Sequence, residues 1–252
     1  MIEKILLTRP AGFNDELAGA LAAQGIAVLQ APLVRIQGLD PAGLRLEPKI
    51  LLDPEQVIIF TSQNAIDYAG DLIPQLAQAA KAHVFAVGPA TQMRLKEMGI
   101  VATAPDQPGS EPLLSLPAFT APFDKKVLIV TGRLGRDYLE TTLRARGAAV
   151  ARYECYERVP LLIQNLDDMI AQGYHHILVT STDILQALAS HLTALSRPQV
   201  VLCVTAKRIK EAAHSLGLTA VIEAPDASVS GILKALTSQS SNQSSNQGAE
   251  SQ

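Results

Sequence analysis

The feature that most constrains this chain is that it contains itself. Lys4–Val28 (KILLTRPAGFNDELAGALAAQGIAV) lies against Lys126–Val150 (KVLIVTGRLGRDYLETTLRARGAAV) without a gap. Asp15 then meets Asp137, Leu17 meets Leu139, Leu21 meets Leu143, Gly25 meets Gly147 and Val28 meets Val150. Val57–Ile66 (VIIFTSQNAI) likewise matches His176–Leu185 (HILVTSTDIL), which places Thr61 on Thr180 and Ser62 on Ser181. Phe85–Ile100 matches Cys203–Leu218 with Gly99 on Gly217, and Ala104-Pro105-Asp106 falls on Ala224-Pro225-Asp226 with Ser110 on Ser230. The offsets run only from 118 residues (Phe85 to Cys203) to 122 (Lys4 to Lys126), so one structural unit is used twice.

Within each copy short β-branched runs alternate with helical patterns: a strand, a turn, a helix with Leu four apart, a Gly stop and a second strand. That alternation predicts βαβ units in a parallel sheet. Five strands per copy predict two flavodoxin-like α/β domains, and ligands of such sheets sit outside the carboxyl ends of the strands. Two such edges facing one another would make a cleft. The repeat leaves open whether the domains are tandem, split near Phe123, or interleaved, with the first 36 or so residues joining the C-terminal half. Leu33–Ile36 and Cys155–Arg158 stand at equivalent places after each unit's second strand and are the crossings if the domains interleave.

At 252 residues each copy can bury a core of its own, and with no Trp, five Phe and five Tyr that core is aliphatic. A net charge of −3 without a basic block leaves no footprint for nucleic acid and favours a small-molecule partner. Cys155 and Cys203 lack metal-ligand spacing and read as free thiols of a reducing compartment. No signal peptide opens the sequence and no run reaches the roughly 18 apolar residues of a membrane span, so a cytoplasmic protein is expected. No surplus apolar face is visible, which predicts a monomer. From Thr237 to Gln252 the sequence turns to Ser, Gln, Asn and Gly and reads as a disordered tail.

The local signals that carry chemistry are strand-to-helix turns: Thr8-Arg9-Pro10, Thr61-Ser62-Gln63-Asn64, Val87-Gly88-Pro89-Ala90-Thr91, Thr131-Gly132-Arg133-Leu134-Gly135-Arg136, Thr180-Ser181-Thr182-Asp183 and Thr205-Ala206-Lys207. Such turns present unpaired N–H groups and the positive end of a helix dipole, which suits carboxylates or phosphates. Ser and Thr at any one of them also cap the helix; together they favour anion binding. The Gly132–Arg136 turn is neither GxGxxG nor a Walker A loop. His83, His175, His176, His191 and His214 fall at helix or loop positions without metal or triad spacing. No nucleophile elbow, HExxH or CxxC motif appears. Tyr156 differs, because on a crossing segment its side chain can point out of either core, where a phenol can protonate a leaving group; the alternative is interface packing with Tyr153. Two rival classes stay open on these residues alone: a non-catalytic two-domain ligand-binding or sensor protein, and a nucleotide-dependent transferase that would lack its phosphate loop.

LLTRP before a Leu-spaced helix, IFTSQNAI, FAVGPATQMRL with Gly99 downstream, PGSEPLL, the GRLGR turn before Leu139, CYERV, VTSTDIL and APDASVSGIL, in this order from Ile5 to about Leu236, resemble the uroporphyrinogen-III synthase family. The chain departs from it at Thr131, where relatives often have Arg, and at Thr205-Ala206-Lys207, where Ser-Glu-Arg is commoner. The resemblance implies interleaved domains joined by a two-stranded connector: residues 1–36 with 157–236, residues 37–156, and the tail. It implies that hydroxymethylbilane loses water and closes to uroporphyrinogen III through a spiro intermediate, with the last pyrrole ring inverted and no cofactor or metal. The substrate is a linear tetrapyrrole with eight carboxylates, and the upstream bilane-forming enzyme is a candidate partner. On this reading Tyr156 assists loss of the hydroxyl. Arg9, Ser62, Asn64, Gly88, Thr91, Ser110, Gly132, Arg136, Ser181, Lys207 and Ser228 are the expected substrate-binding positions.

Overall fold

In the computed structural model of the chain the described residues are 2–39, 56–78, 83–120, 122–135 and 137–246. Ten strands are described: β1 (Lys4–Leu7), β2 (Ala27–Gln30), β3 (Val34–Gly38), β4 (Gln56–Phe60), β5 (His83–Ala86), β6 (Lys126–Gly132), β7 (Ala149–Pro160), β8 (His176–Val179), β9 (Val201–Val204) and β10 (Val221–Glu223). The chain divides into two compact units, Met1–Arg35 with Val159–Gln252, and Ile36–Arg158.

The sheet of the first unit runs β2-β1-β8-β9-β10, and each neighbouring pair is parallel. Counted along the unit this is the order 2-1-3-4-5 of the flavodoxin-like fold. The second unit repeats it as β7-β6-β4-β5, again parallel, but its fifth position shrinks to one isolated bridge, Phe85 to Thr103. Its fifth strand is instead β3, on the opposite edge. Leu161 N–H donates to Leu33 O and Leu39 N–H to Cys155 O, so one strand rises as the other falls and the pair is antiparallel. The chain passes from one unit to the other within β3 and returns within β7.

The duplication is written into the backbone hydrogen bonds. Ala27 N–H donates to Glu3 O at 2.7 Å, as Ala149 does to Lys125 O at 2.9 Å. Ile26 donates to Leu21 O as Ala148 does to Leu143 O, and Ile100 to Leu95 O as Leu218 does to Ala213 O. Each bond recurs at the offset found in the sequence, so the repeat is one of backbone geometry and not only of residue type.

In β4 and β6 alternate residues enter opposite cores. Ile58, Phe60, Leu128 and Val130 pack with Tyr153, Cys155 and Tyr156, whereas Val57, Ile59, Val127 and Ile129 pack with Phe85 and Phe119. Strands covered on both faces must be apolar throughout, which is why these runs show no polar alternation. In the first unit Ile5, Leu7, Leu17, Leu21, Leu178, Cys203, Ile222 and Leu236 form a cluster. Each fully buried Leu, Ile or Phe contributes about 1.5–3 kcal/mol, so aliphatic cores hold both sheets without Trp.

One local expectation is revised. His83 opens β5 and His176 opens β8, so neither lies on a helix or loop. The last helix runs from Val229 to Asn246, past Thr237, where composition predicts disorder to begin. Ile232, Ala235 and Leu236 anchor it in the core, and the Thr237 and Ser238 hydroxyls donate back to the carbonyls of Leu233, Lys234 and Ala235. No helix among the described residues is long and apolar enough to cross a membrane.

Candidate active site

Tyr156 reaches its position through a fault in strand pairing. Along β6 and β7 the partners advance in step up to Thr131 opposite Glu154, and then Gly132 pairs with Tyr156, a bulge that leaves Cys155 over. Regular alternation would send Tyr156 to the face opposite Cys155. The extra residue turns it to the same side, and Tyr153, Cys155 and Tyr156 all enter one cluster. Tyr156 is 4% exposed and packs within the second unit's core, whereas its place on a crossing segment predicts a side chain that points out of either core.

The ring is contacted on two sides. A Cβ built on Gly132 would come within 2.6 Å of Tyr156 Cζ and 3.0 Å of its Oη, closer than any side chain can stand. Tyr68 covers another side, its ring centroid 6.2 Å away. Arg133 N–H donates to Tyr156 O at 2.7 Å. The phenol oxygen then lies 3.1 Å from Ser62 Oγ. Ser62 is the N-cap of the helix Gln63–Asp67, and its Oγ accepts from Ala65 N–H at 3.1 Å. Beside this pair Thr61 Oγ1 donates to Thr131 Oγ1 at 3.1 Å, joining the ends of β4 and β6. All of these groups sit at the carboxyl edge of the second sheet.

The other expected positions of that unit that fall among the described residues stand at the N-caps or in the first turns of helices, with different surroundings. Gly88 is the N-cap of the helix Pro89–Glu97, and a Cβ there would meet Pro108 Cβ at 2.8 Å, so a side chain is excluded by the Pro108–Gly109 turn, where Gly109 N–H donates to Val87 O. Thr91 is buried in the first turn of that helix, Ser110 begins the helix Ser110–Leu114, and Asn64 is half-buried next to Ser62. Arg133 is paired with Glu157 at 3.0 Å. Arg136 lies outside the described residues.

In the first unit Ser181 repeats Ser62: it is the N-cap of the helix Thr182–Leu188, and its Oγ accepts from Ile184 N–H at 3.3 Å. Arg9 is half-buried at the end of β1, and Nη2 donates to Ala227 O at 2.7 Å. Burial pushes its guanidinium below the ordinary value, with Cys203 acting weakly the other way. Lys207 is 82% exposed on the side chain and 3.7 Å from Glu211, a solvated i,i+4 pair. Ser228 is occupied: it donates to the Asp226 carboxylate, lies 3.0 Å from Ser230 Oγ and accepts from Gly231 N–H. Hydrogen bonds from the Ser228 hydroxyl and N–H hold the Asp226 carboxyl below its usual range, and the charge so fixed disfavours a second carboxylate at Ser228. Sequence reasoning missed the packing role of Gly132 and Gly88, because neither stands at a positive φ and the close approach comes from residues distant in sequence. Among the described residues no group of three or more His, Cys, Asp or Glu is arranged to hold a metal ion.

A family model described as uroporphyrinogen-III synthase HemD matches residues 15–234 of this chain. Uroporphyrinogen-III synthase of Escherichia coli (strain K12) is 27% identical over 243 residues, 92% of this chain and 99% of that protein. The Proteus mirabilis protein of the same name is 32% identical over 160 residues, 62% of this chain and 80% of its own length. Among solved structures, uroporphyrinogen-III synthetase from Helicobacter pylori 26695 superposes with a TM-score of 0.62 at 18% identity, covering 95% of this chain and all of that one. A mutant uroporphyrinogen III synthase from the extremely thermophilic bacterium Thermus thermophilus gives 0.60 at 17% identity, covering 93% of this chain and 97% of that one. At these identities the superpositions speak to the fold.

Proposed function

Since this chain belongs to the uroporphyrinogen-III synthase family, we propose that it acts as a hydro-lyase that closes hydroxymethylbilane to uroporphyrinogen III with Tyr156 as its proton donor. The observation that carries the residue assignment is the Tyr156–Ser62 hydroxyl pair at the carboxyl edge of a parallel sheet. Ser62 Oγ accepts from Ala65 N–H and either hydroxyl can donate within the pair; with Ser62 donating to Tyr156 Oη, the phenol proton is free to serve the departing hydroxyl of the first ring. Proton transfer to that hydroxyl releases water and leaves an azafulvenium cation. The cation is attacked by the substituted carbon of the last ring, and the spiro centre so formed breaks and recloses with that ring inverted.

Free hydroxymethylbilane closes without help to the uninverted isomer, so the protein's task is chiefly to hold a reactive chain in one fold. The substrate's carboxylates have to be met by local donors in a chain of net charge −3. Arg9 is the strongest of these. A half-buried cation whose polar partner among the described residues is the Ala227 carbonyl bears a desolvation cost that an incoming carboxylate offsets. The hydroxyls of Thr91 and Ser181 and the backbone amides after Gly88 supply neutral donors at the strand ends. Two free, buried thiols accord with a protein working in the reducing cytoplasm.

The test is to supply freshly made hydroxymethylbilane and separate the product isomers by chromatography after oxidation. The type III isomer in excess over type I is the expected result. Type I alone, at the rate seen without protein, would sink the proposal.

A further inference from the structure

The internal repeat supplies a control for one residue that neither capping nor core packing explains. At the 122-residue offset Pro10-Ala11-Gly12-Phe13 falls on Gly132-Arg133-Leu134-Gly135. Both segments make the same turn: Phe13 N–H donates to Pro10 O at 3.2 Å and Gly135 N–H to Gly132 O at 3.2 Å. The third residue is left-handed in both, Gly12 at φ 83° and Leu134 at φ 59°. Glycine suits that place because it has no Cβ to crowd the backbone. The first unit supplies it. The second carries leucine, the one non-glycine residue at positive φ among the described residues. Nor does the fold gain packing in return, since Leu134 is 95% exposed.

The turn that carries this side chain is fastened to the Tyr156 site. Gly132, its first residue, lies against the phenol ring, and Arg133, its second, donates its N–H to Tyr156 O and pairs with Glu157. An apolar group on strained backbone therefore stands at the edge of the site, where a glycine would cost less. Residues held in such conformations cluster at active sites and ligand clamps.

We propose that Leu134 is a substrate-contact residue that packs on the face of a pyrrole ring. This rests on the functional reading given above and deepens it. Hydrogen-bond donors at the strand ends can grip a tetrapyrrole only by its acid edge, and an apolar contact on a ring face fixes the tilt that edge contacts leave free. Loss of that contact weakens binding of the folded chain and lets the uninverted closure compete.

The test compares Leu134→Asn, Leu134→Gly and Leu134→Met with the unaltered protein. Asn and Gly tolerate left-handed φ, so both should hold or raise the thermal midpoint. Both should also raise KM for hydroxymethylbilane roughly tenfold, the worth of one leucine's apolar contact, and increase the type I share of product. Met retains the apolar reach and should stay within about twofold of the unaltered KM. Stability rising while binding falls is a split that a merely structural turn residue does not produce. The inference is overturned if Leu134→Asn and Leu134→Gly keep the unaltered KM and isomer ratio, or if their KM rises only alongside a lowered midpoint. If the unaltered protein forms no type III isomer, the functional reading falls and this inference with it; that outcome is seen before any variant is made.

Discussion

Gly132 and Tyr156 are in contact because Gly132 has no side chain: the Cβ of any other residue would lie 2.6 Å from Tyr156 Cζ. The glycine stands at the bulge where Gly132 pairs with Tyr156, so the irregularity that aims the tyrosine also brings the ring over the backbone. Its part in the site is to make room for the phenol, whether or not its amide also meets a carboxylate.

Gly132→Ala should therefore displace the phenol. Overpacking costs about 1–3 kcal/mol of stability, and a misplacement near 1 Å costs on the order of a hundredfold in turnover. The expected outcome is a folded protein with kcat reduced by more than the shift in its denaturant midpoint explains. Unchanged kcat would show that Tyr156 does not depend on this contact.

Tyr156→Phe keeps the ring between Gly132 and Tyr68 and removes only the hydroxyl. Stability should change by about 1 kcal/mol, the net worth of one hydrogen bond, while type III formation slows about a hundredfold or more, the scale of a lost general acid. Ser62→Ala should also slow it and cost about 1 kcal/mol as a lost cap. Ser62→Thr, which keeps both the cap and the hydroxyl, should restore most of the rate in a coupled assay of isomer yield.

Arg9→Gln tests the half-buried cation. KM should rise about tenfold with kcat little altered, because a charge-assisted hydrogen bond is worth about 1.5–3 kcal/mol. Stability should hold or increase, since an uncompensated charge leaves a partly buried place. A matching loss of stability with unchanged KM would assign Arg9 to the fold alone.

The thiols give a pH dependence with a definite sign. Burial pushes both Cys155 and Cys203 up to about 12 from an ordinary 9.0. Between those values the unfolded chain loses thiol protons that the folded chain keeps, so this contribution to stability is intact below pH 9 and is lost as pH rises toward 12. Chemical denaturation at pH 8 and pH 10 should show the lower midpoint at pH 10. At pH 8 neither thiol should react with an aromatic disulfide reagent until denaturant is added.

Much of the plan was legible before the structure. Leu17 and Leu21, four apart, marked a helix in the first copy and Leu139 and Leu143 its twin, because an amphipathic helix repeats its buried face locally. Ser62 and Ser181 were readable as caps for the same reason, each bonding an amide three residues on. The shortened fifth position of the second unit was not, since Val101-Ala102-Thr103 resembles the strand β10 and differs only in how far it pairs.

The sequence by itself determined that one βαβ unit is used twice, where its duplicated helices start, and which turns lie at strand ends, all set by neighbours within about one turn or one strand. The tertiary structure decided which of those turns form the Tyr156 site. Tyr156 and Ser62 are 94 residues apart, and their meeting depends on a one-residue bulge against β6 and on the absence of a side chain at Gly132. Contacts of that kind leave no local pattern, because they follow from strand register and close packing, which exist only once the sheet has formed.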